Sequence, residues 1–126
     1  MLFDTDILIW YLRGNPKAIK ALEQTGQRAV SVVCYMELLQ GARNKSEIKL
    51  IRKFLKDADF EIVPLTENIG HRAAVYMEEY CLRVEMCLAD ALLAATAVEN
   101  NLPLSTGNTK HYKLIRELEI KPFHPE

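Results

Sequence analysis

Apolar residues along the chain follow two rhythms, short dense runs and longer stretches in which they recur every three or four positions. The dense runs at 2–5 (LFDT), 29–33 (AVSVV), 60–65 (FEIVPL), 102–106 (LPLST) and near 119–122 predict buried strands, with Pro64 marking a strand end or edge. Between them the period changes. Residues 7–12 predict a helical turn or two, broken at Gly14-Asn15-Pro16, and Pro16 opens a second helix through about Glu23. Met36, Leu38, Leu39 and Ala42 suit a helix ending near Arg43-Asn44. Ser46 followed by Glu47 predicts the N-cap of a helix whose Ile48, Ile51, Leu55 and Ala58 form one apolar stripe. Thr66-Glu67 starts a long helix carrying Ile69, Ala73, Met77, Tyr80 and Val84 at helical spacing. The segment LADALLAATAVENN is a small-residue helix suited to close packing, stopped by Asn100-Asn101, and 111–117 predicts a final short helix. Strands alternating with helices predict an α/β fold with a mostly parallel four- to five-stranded sheet and helices on both faces. No internal repeat or linker interrupts 1–126, so a single domain is expected.

Composition adds further constraints. With 126 residues, 49% hydrophobic and 26% charged, the chain matches folded globular proteins and excludes wholesale disorder. No apolar run approaches the roughly 20 residues of a membrane span, and the start lacks the basic residues of a signal peptide, so a cytoplasmic protein without a membrane partner is expected. Cys34, Cys81 and Cys87 offer neither a disulfide framework nor zinc spacing and are expected to be buried thiols. A net charge of −1 gives no global basic footprint, yet Arg43 to Lys56 holds six basic residues against one acid, Glu47. Lys45, Lys49, Arg52 and Lys56 make a stripe on one helix face, which is either a track for a polyanion or an ordinary solvated surface.

The acids raise the sharper question. In open parallel α/β sheets ligands bind at the carboxyl ends of the strands. Asp4 and Asp6 fall after the first strand, Glu37 in the helix after the second, Asp90 at the start of the small-residue helix, and Asn108 just past Ser105-Thr106. Singly, each has a plain explanation: Asp6 as a cap for a helix starting at Ile7, Asp90 as a first-turn acid, Asn108 as a turn residue. Glu37 resists one, because Tyr35, Met36, Leu38 and Leu39 surround it. If Asp4, Glu37 and Asp90 converge to about 5 Å, each pair repels by about 3 kcal/mol at an effective dielectric of ~20. Such a cluster needs a cation or a raised pKa, and oxygen donors suit Mg²⁺ or Mn²⁺ better than zinc.

DTDILIW, SVVCYMELLQGA, ADALLAATA and LSTGN, in that order across nearly the whole chain, resemble the PIN-domain ribonucleases, specifically the VapC-type toxins of toxin–antitoxin pairs. The resemblance implies a PIN-like (Rossmann-like) fold and metal-dependent hydrolysis of RNA phosphodiester bonds. Asp4 matches the first aspartate of the family's D-T-N opening, with Asp6 where asparagine is usual. Glu37 matches the glutamate of S-x-x-T-x-x-E-L, with Ser31 retained and Cys34 in place of threonine. Asp90 matches the aspartate of D-A-L-I-A-A, and Thr106 with Asn108 the T-x-N pattern. The resemblance makes Asp4, Glu37 and Asp90 metal ligands and Asn108 a catalytic residue holding water or a phosphate oxygen. It gives Asp6 a supporting place or a second ion, and Thr106 the shaping of its loop. Many relatives carry an acid where this chain has His111, which would replace it as a ligand, contact phosphate, or lie on the surface beside Lys110. The family further implies an RNA substrate, tracked here by Lys45, Lys49, Arg52 and Lys56, a cognate antitoxin and a homodimer. Trp10, Tyr11, Leu38 and Leu39 are candidates for those protein surfaces or for the core.

Two other readings stand beside this one. A degenerate PIN domain would bind RNA or protein without cleavage, which the missing fourth acid favours and the three carboxylates oppose. An aspartate-nucleophile phosphatase would explain F-D-T-D but expects Gly-Thr where Ile7-Leu8 stand.

Overall fold

The computed structural model describes residues 1–126. Five strands form one sheet, β1 (Leu2–Phe3), β2 (Arg28–Ser31), β3 (Phe60–Val63), β4 (Leu104–Thr106) and β5 (Ile120–Pro122), in the order β3-β2-β1-β4-β5. Every pairing is parallel. Six helices connect them: α1 (Thr5–Leu12), α2 (Pro16–Glu23), α3 (Val32–Gln40), α4 (Lys45–Asp57), α5 (Glu67–Tyr80) and α6 (Leu88–Glu99), with a 3₁₀ turn at Thr109–His111.

Burial follows the order of the strands. Consecutive residues of a strand point to opposite faces, and in β1, β4 and most of β2 consecutive residues are all buried, so the sheet centre is covered on both sides. The edge strands β3 and β5 keep exposed positions, and Pro64 lies just beyond β3 where the missing N–H costs no ladder bond. Helix α6 buries Ala91, Leu93, Ala94, Ala95, Thr96 and Ala97, nearly all round, and its small side chains admit close contact with α5.

Several boundaries move from the sequence expectation, mostly because a polar side chain captures the first turn of a helix. β1 ends at Phe3, since Asp4 accepts from the Thr5 N–H at 2.7 Å and begins α1 two residues before Ile7. β2 ends at Ser31, whose Oγ accepts from the Cys34 N–H at 3.0 Å and turns Val32 and Val33 into helix. The cap of α4 is Asn44, not Ser46, and α3 stops at Gln40. Thr66 caps α5 as expected, but the helix ends at Tyr80 and leaves Val84 in a following turn. The helix expected at 111–117 is the short 3₁₀ turn and a series of turns. Only Cys34 of the three cysteines is buried; Cys87 is exposed and Cys81 half-buried. No helix is long and apolar enough to cross a membrane.

Candidate active site

The strand order reverses direction around β1, so the crevice between the carboxyl ends of β1 and β4 is where this topology places a ligand. Asp4 and Thr106 stand there. The Asp4 N–H donates to the Ser105 carbonyl at 2.9 Å, carrying the β1–β4 ladder to the acid itself. Thr106, fully buried, donates its hydroxyl to Asp4 Oδ2 at 2.8 Å and accepts from the Asn108 N–H at 3.0 Å, so one side chain fixes both residues. Asp6 ties the same loop to α1: Oδ1 accepts from the Ile7 N–H at 2.8 Å and Oδ2 from the Gly107 N–H at 2.9 Å. A Cβ on Gly107 would stand 2.7 Å from that Oδ2, so the close approach requires glycine.

Burial raises the pKa of Asp4 to about 6, and the charges of Asp6 and then Asp90 add to it against the Thr106 and Thr5 hydrogen bonds. Asp6 is raised as well, chiefly by burial, although the Gly107 and Ile7 N–H groups oppose the shift.

Asp90, in the first turn of α6, is held by three groups. Oδ1 accepts from the buried Tyr112 hydroxyl at 3.0 Å, and Oδ2 accepts from the Cys87 N–H at 3.2 Å and lies 2.9 Å from His111 Nδ1. The Asn108 amide stands 2.9 Å from the same Nδ1. His111 is therefore part of this cluster, with its side chain 19% exposed, and is not a free surface residue beside Lys110. Burial, followed by the charges of Asp4 and Asp90, drives the Tyr112 phenol far above its ordinary range, so it stays a proton donor to Asp90. The sequence assigns no role to Tyr112; its signal is its place in the His111-Tyr112 pair, where the family pattern has an acid before an aromatic.

Glu37 corrects an expectation. It is exposed at the rim, with Met36 51% exposed beside it, because α3 turns this face away from the sheet. Its Oε1 accepts the Thr5 hydroxyl at 2.9 Å. Thr5 thus supplies a hydroxyl to this carboxylate although Cys34 replaces threonine in the motif. Cys34 is sealed beneath, its thiol pushed up to about 12 by burial and then by Asp4.

Asp4, Asp6, Glu37, Asp90, Asn108 and Tyr112 line one pocket of about 280 Å³. The basic stripe does not: Lys45, Lys49, Arg52 and Lys56 are exposed on α4, and Arg52 and Lys56 line a separate cleft of about 740 Å³ with Tyr35 and Phe60. Their neighbours Arg43 and Lys53 are paired with Glu47 and Asp57, so the four stripe residues carry the unpaired charge of this helix. Of the residues considered as partner surfaces, Leu38 is core, and Trp10, Tyr11 and Leu39 are half-buried against it, Tyr11 stacking on Phe54 at 4.8 Å.

Asp4, Glu37 and Asp90 face one pocket, but no three His, Cys, Asp or Glu side chains stand as a ready coordination shell. The donor set nevertheless fits a hard divalent cation. Mg²⁺ characteristically binds through one or two carboxylates and completes its shell with water and substrate phosphate. Asp4 and Asp90 repel one another across the pocket, a cost that a cation between them removes.

A PIN-domain family profile matches residues 1–117. The chain is 35% identical to ribonuclease VapC10 of Mycobacterium tuberculosis, over 98% of this chain and 92% of that one. It is 30% identical to ribonuclease VapC1 of Methanocaldococcus jannaschii, over 98% and 86%. The fold superposes on a toxin–antitoxin complex from Klebsiella pneumoniae with a TM-score of 0.81 and 32% identity, covering 99% and 97% of the two chains. It also superposes on VapBC2 from Rickettsia felis bound to a promoter DNA fragment, with a TM-score of 0.80, 20% identity and 98% coverage of both, a likeness of fold.

Proposed function

The chain belongs to the PIN-domain family, among the VapC ribonucleases, and from that premise we propose that it is a metal-dependent endoribonuclease, the toxin of a VapBC-type pair. The observation that carries this reading is the single pocket at the carboxyl ends of β1 and β4 that gathers Asp4, Glu37, Asp90 and Asn108. Asp4 and Asp90 would hold Mg²⁺ or Mn²⁺, with Glu37 joining from the rim. A divalent ion there supplies positive charge for the phosphate and a more acidic water at neutral pH. Asp4 stays aligned through the Thr106 hydroxyl and the Thr5 N–H. Asp90 is aligned by Tyr112 and Cys87, and Glu37 by the Thr5 hydroxyl. Asn108, fixed through its backbone to Thr106, would turn its amide from His111 to a water or a phosphate oxygen. Asp6 acts as a brace between α1 and the loop after β4, with both oxygens occupied by backbone N–H groups.

The stripe Lys45, Lys49, Arg52 and Lys56 would track RNA phosphates outside the pocket. A cognate antitoxin fits the same picture, since an acidic pocket favours an inserted basic side chain. A homodimer in the cytoplasm completes the proposal, with 1–126 acting as one domain.

Metal-stripped protein, freed of any antitoxin, is incubated with total RNA while Mn²⁺ and Mg²⁺ are titrated, beside an Asp4→Asn/Asp90→Asn double variant. Metal-dependent cleavage lost in the variant is expected. Equal inertness of both proteins, with metal still bound by the wild type, would instead identify a binding module that does not cleave.

A further inference from the structure

Tyr112 is the largest fully buried side chain of the protein, 1% exposed, and its hydroxyl has one partner, Asp90 Oδ1 at 3.0 Å. Burying a hydroxyl costs free energy that a phenylalanine ring in the same place would not incur. Core packing alone therefore does not account for it. Tyr76, the other buried tyrosine, donates to Glu117 at 2.6 Å, outside the pocket. Of the five tyrosines only Tyr112 lines the pocket with Asp4 and Asp90.

Asp90 has a single opening toward a cation. An ionised carboxylate offers two lone pairs on each oxygen. Oδ2 accepts from the Cys87 N–H at 3.2 Å and lies 2.9 Å from His111 Nδ1, which carries its proton there, because a bare nitrogen would oppose a lone pair to the carboxylate. Both lone pairs of Oδ2 are then taken. Oδ1 meets only the Tyr112 hydroxyl and keeps one lone pair open. The charges of Asp4 and Asp90 both act on the Tyr112 phenol, so the hydroxyl stands close to the two acids that face each other across the pocket.

We propose that Tyr112 is a positioning residue of the metal centre: its hydroxyl fixes Asp90 so that the ion is taken by Oδ1 alone, through the lone pair that the phenol leaves open. The inference rests on the metal-dependent reading above and adds to it the oxygen that binds and the group that aims it. The ring is locked in the core, and the Tyr112 N–H donates to the Thr109 carbonyl at 3.0 Å, so the hydroxyl is held where Asp90 meets it. Phenylalanine would fill the same space but leave Asp90 anchored through Oδ2 only, with Oδ1 free to swing. Partners of this kind orient a carboxylate ligand and change metal affinity without touching the ion.

The full chain, stripped of metal, is titrated with Mg²⁺ by calorimetry and by near-ultraviolet difference absorption, beside Tyr112→Phe and Tyr76→Phe. An ion on Oδ1 withdraws charge from the oxygen that accepts the phenol proton, so the wild type should show a tyrosine difference band on binding that is absent in Tyr112→Phe. Affinity should fall about tenfold or more in Tyr112→Phe and hold in Tyr76→Phe, which removes a comparable phenol bond outside the pocket. Circular dichroism checks each fold, and if Tyr112→Phe does not fold the wild-type spectrum decides alone, since no other tyrosine lines the pocket. Mg²⁺ bound by the wild type with no tyrosine band, or bound as tightly by folded Tyr112→Phe, would overturn the role of Tyr112 and leave the metal-dependent reading intact. No Mg²⁺ bound by the wild type, or binding undisturbed in Asp4→Asn/Asp90→Asn, would overturn both.

Discussion

Asp4 serves two ends that conflict in the metal-free protein. As the N-cap of α1 it is stabilising, yet burial and the neighbouring charges of Asp6 and Asp90 make its ionised form unfavourable. Its pKa rises from the ordinary 3.8 to about 6 on folding, so below the lower value it contributes nothing to pH-dependent stability. Between the two values the unfolded chain ionises first and stability falls as pH rises, and above about 6 the whole penalty persists. Asp4→Asn keeps a capping side chain and removes the charge. In thermal melts of metal-free protein near pH 7 the variant should be more stable by about 1–2 kcal/mol, the gain vanishing near pH 3 to 4. Saturating Mn²⁺ should reverse the order, because only the wild type gains binding free energy. A variant that melts lower in the absence of metal would show that the Thr106 and Thr5 hydrogen bonds outweigh the charge.

At the scale of elements, the site depends on where helices begin. Asp4, Ser31 and Thr66 each end an extended segment by capping the next helix, and two of them thereby set the register of residues facing the pocket. The loop after β4 is the counterpart on the other side, and Asp6 locks it to α1 through Gly107. Gly107→Ala would place Cβ 2.7 Å from Asp6 Oδ2 and 3.3 Å from the Phe123 carbonyl oxygen. The Asp6 carboxylate is pinned from its other oxygen by Ile7, so it cannot move aside without losing a hydrogen bond. We expect a loss of about 1–3 kcal/mol in denaturant melts, together with weaker metal binding as Thr106 and Asn108 shift. Unchanged stability would mean that the loop relaxes freely and does not position the site.

For the whole molecule, charge is segregated even though the net charge is only −1. Acidic groups collect in the pocket while the unpaired bases of α4 lie outside it, beside the cleft that Arg52 and Lys56 share with Tyr35 and Phe60. An Arg52→Ala/Lys56→Ala variant should bind RNA more weakly across unrelated sequences. The slope of log affinity against log salt should fall by roughly 1.4, about 0.7 for each phosphate contact on single strands. Metal affinity should be untouched. An unaltered salt slope would assign this face to simple solvation.

The linear chain already determined the alternation of strands and helices, the parallel sheet, the positions of Asp4, Thr106 and Asn108 at strand ends and that of Asp90 at the start of a helix, because periodicity and caps are local properties. The same motifs carried the family. Tertiary structure alone decided what crosses between elements. Thr5 reaches Glu37 from another helix, Tyr112 and His111 reach Asp90 across 22 and 21 positions, and Thr106 meets Asp4 across 102. A sequence pattern records which residues repeat along one element, whereas a hydrogen bond between elements depends on the crossing of two chains in space. The exposure of Glu37 was hidden for the same reason: apolar neighbours in sequence point to other faces of α3, and only packing fixes which face meets the sheet.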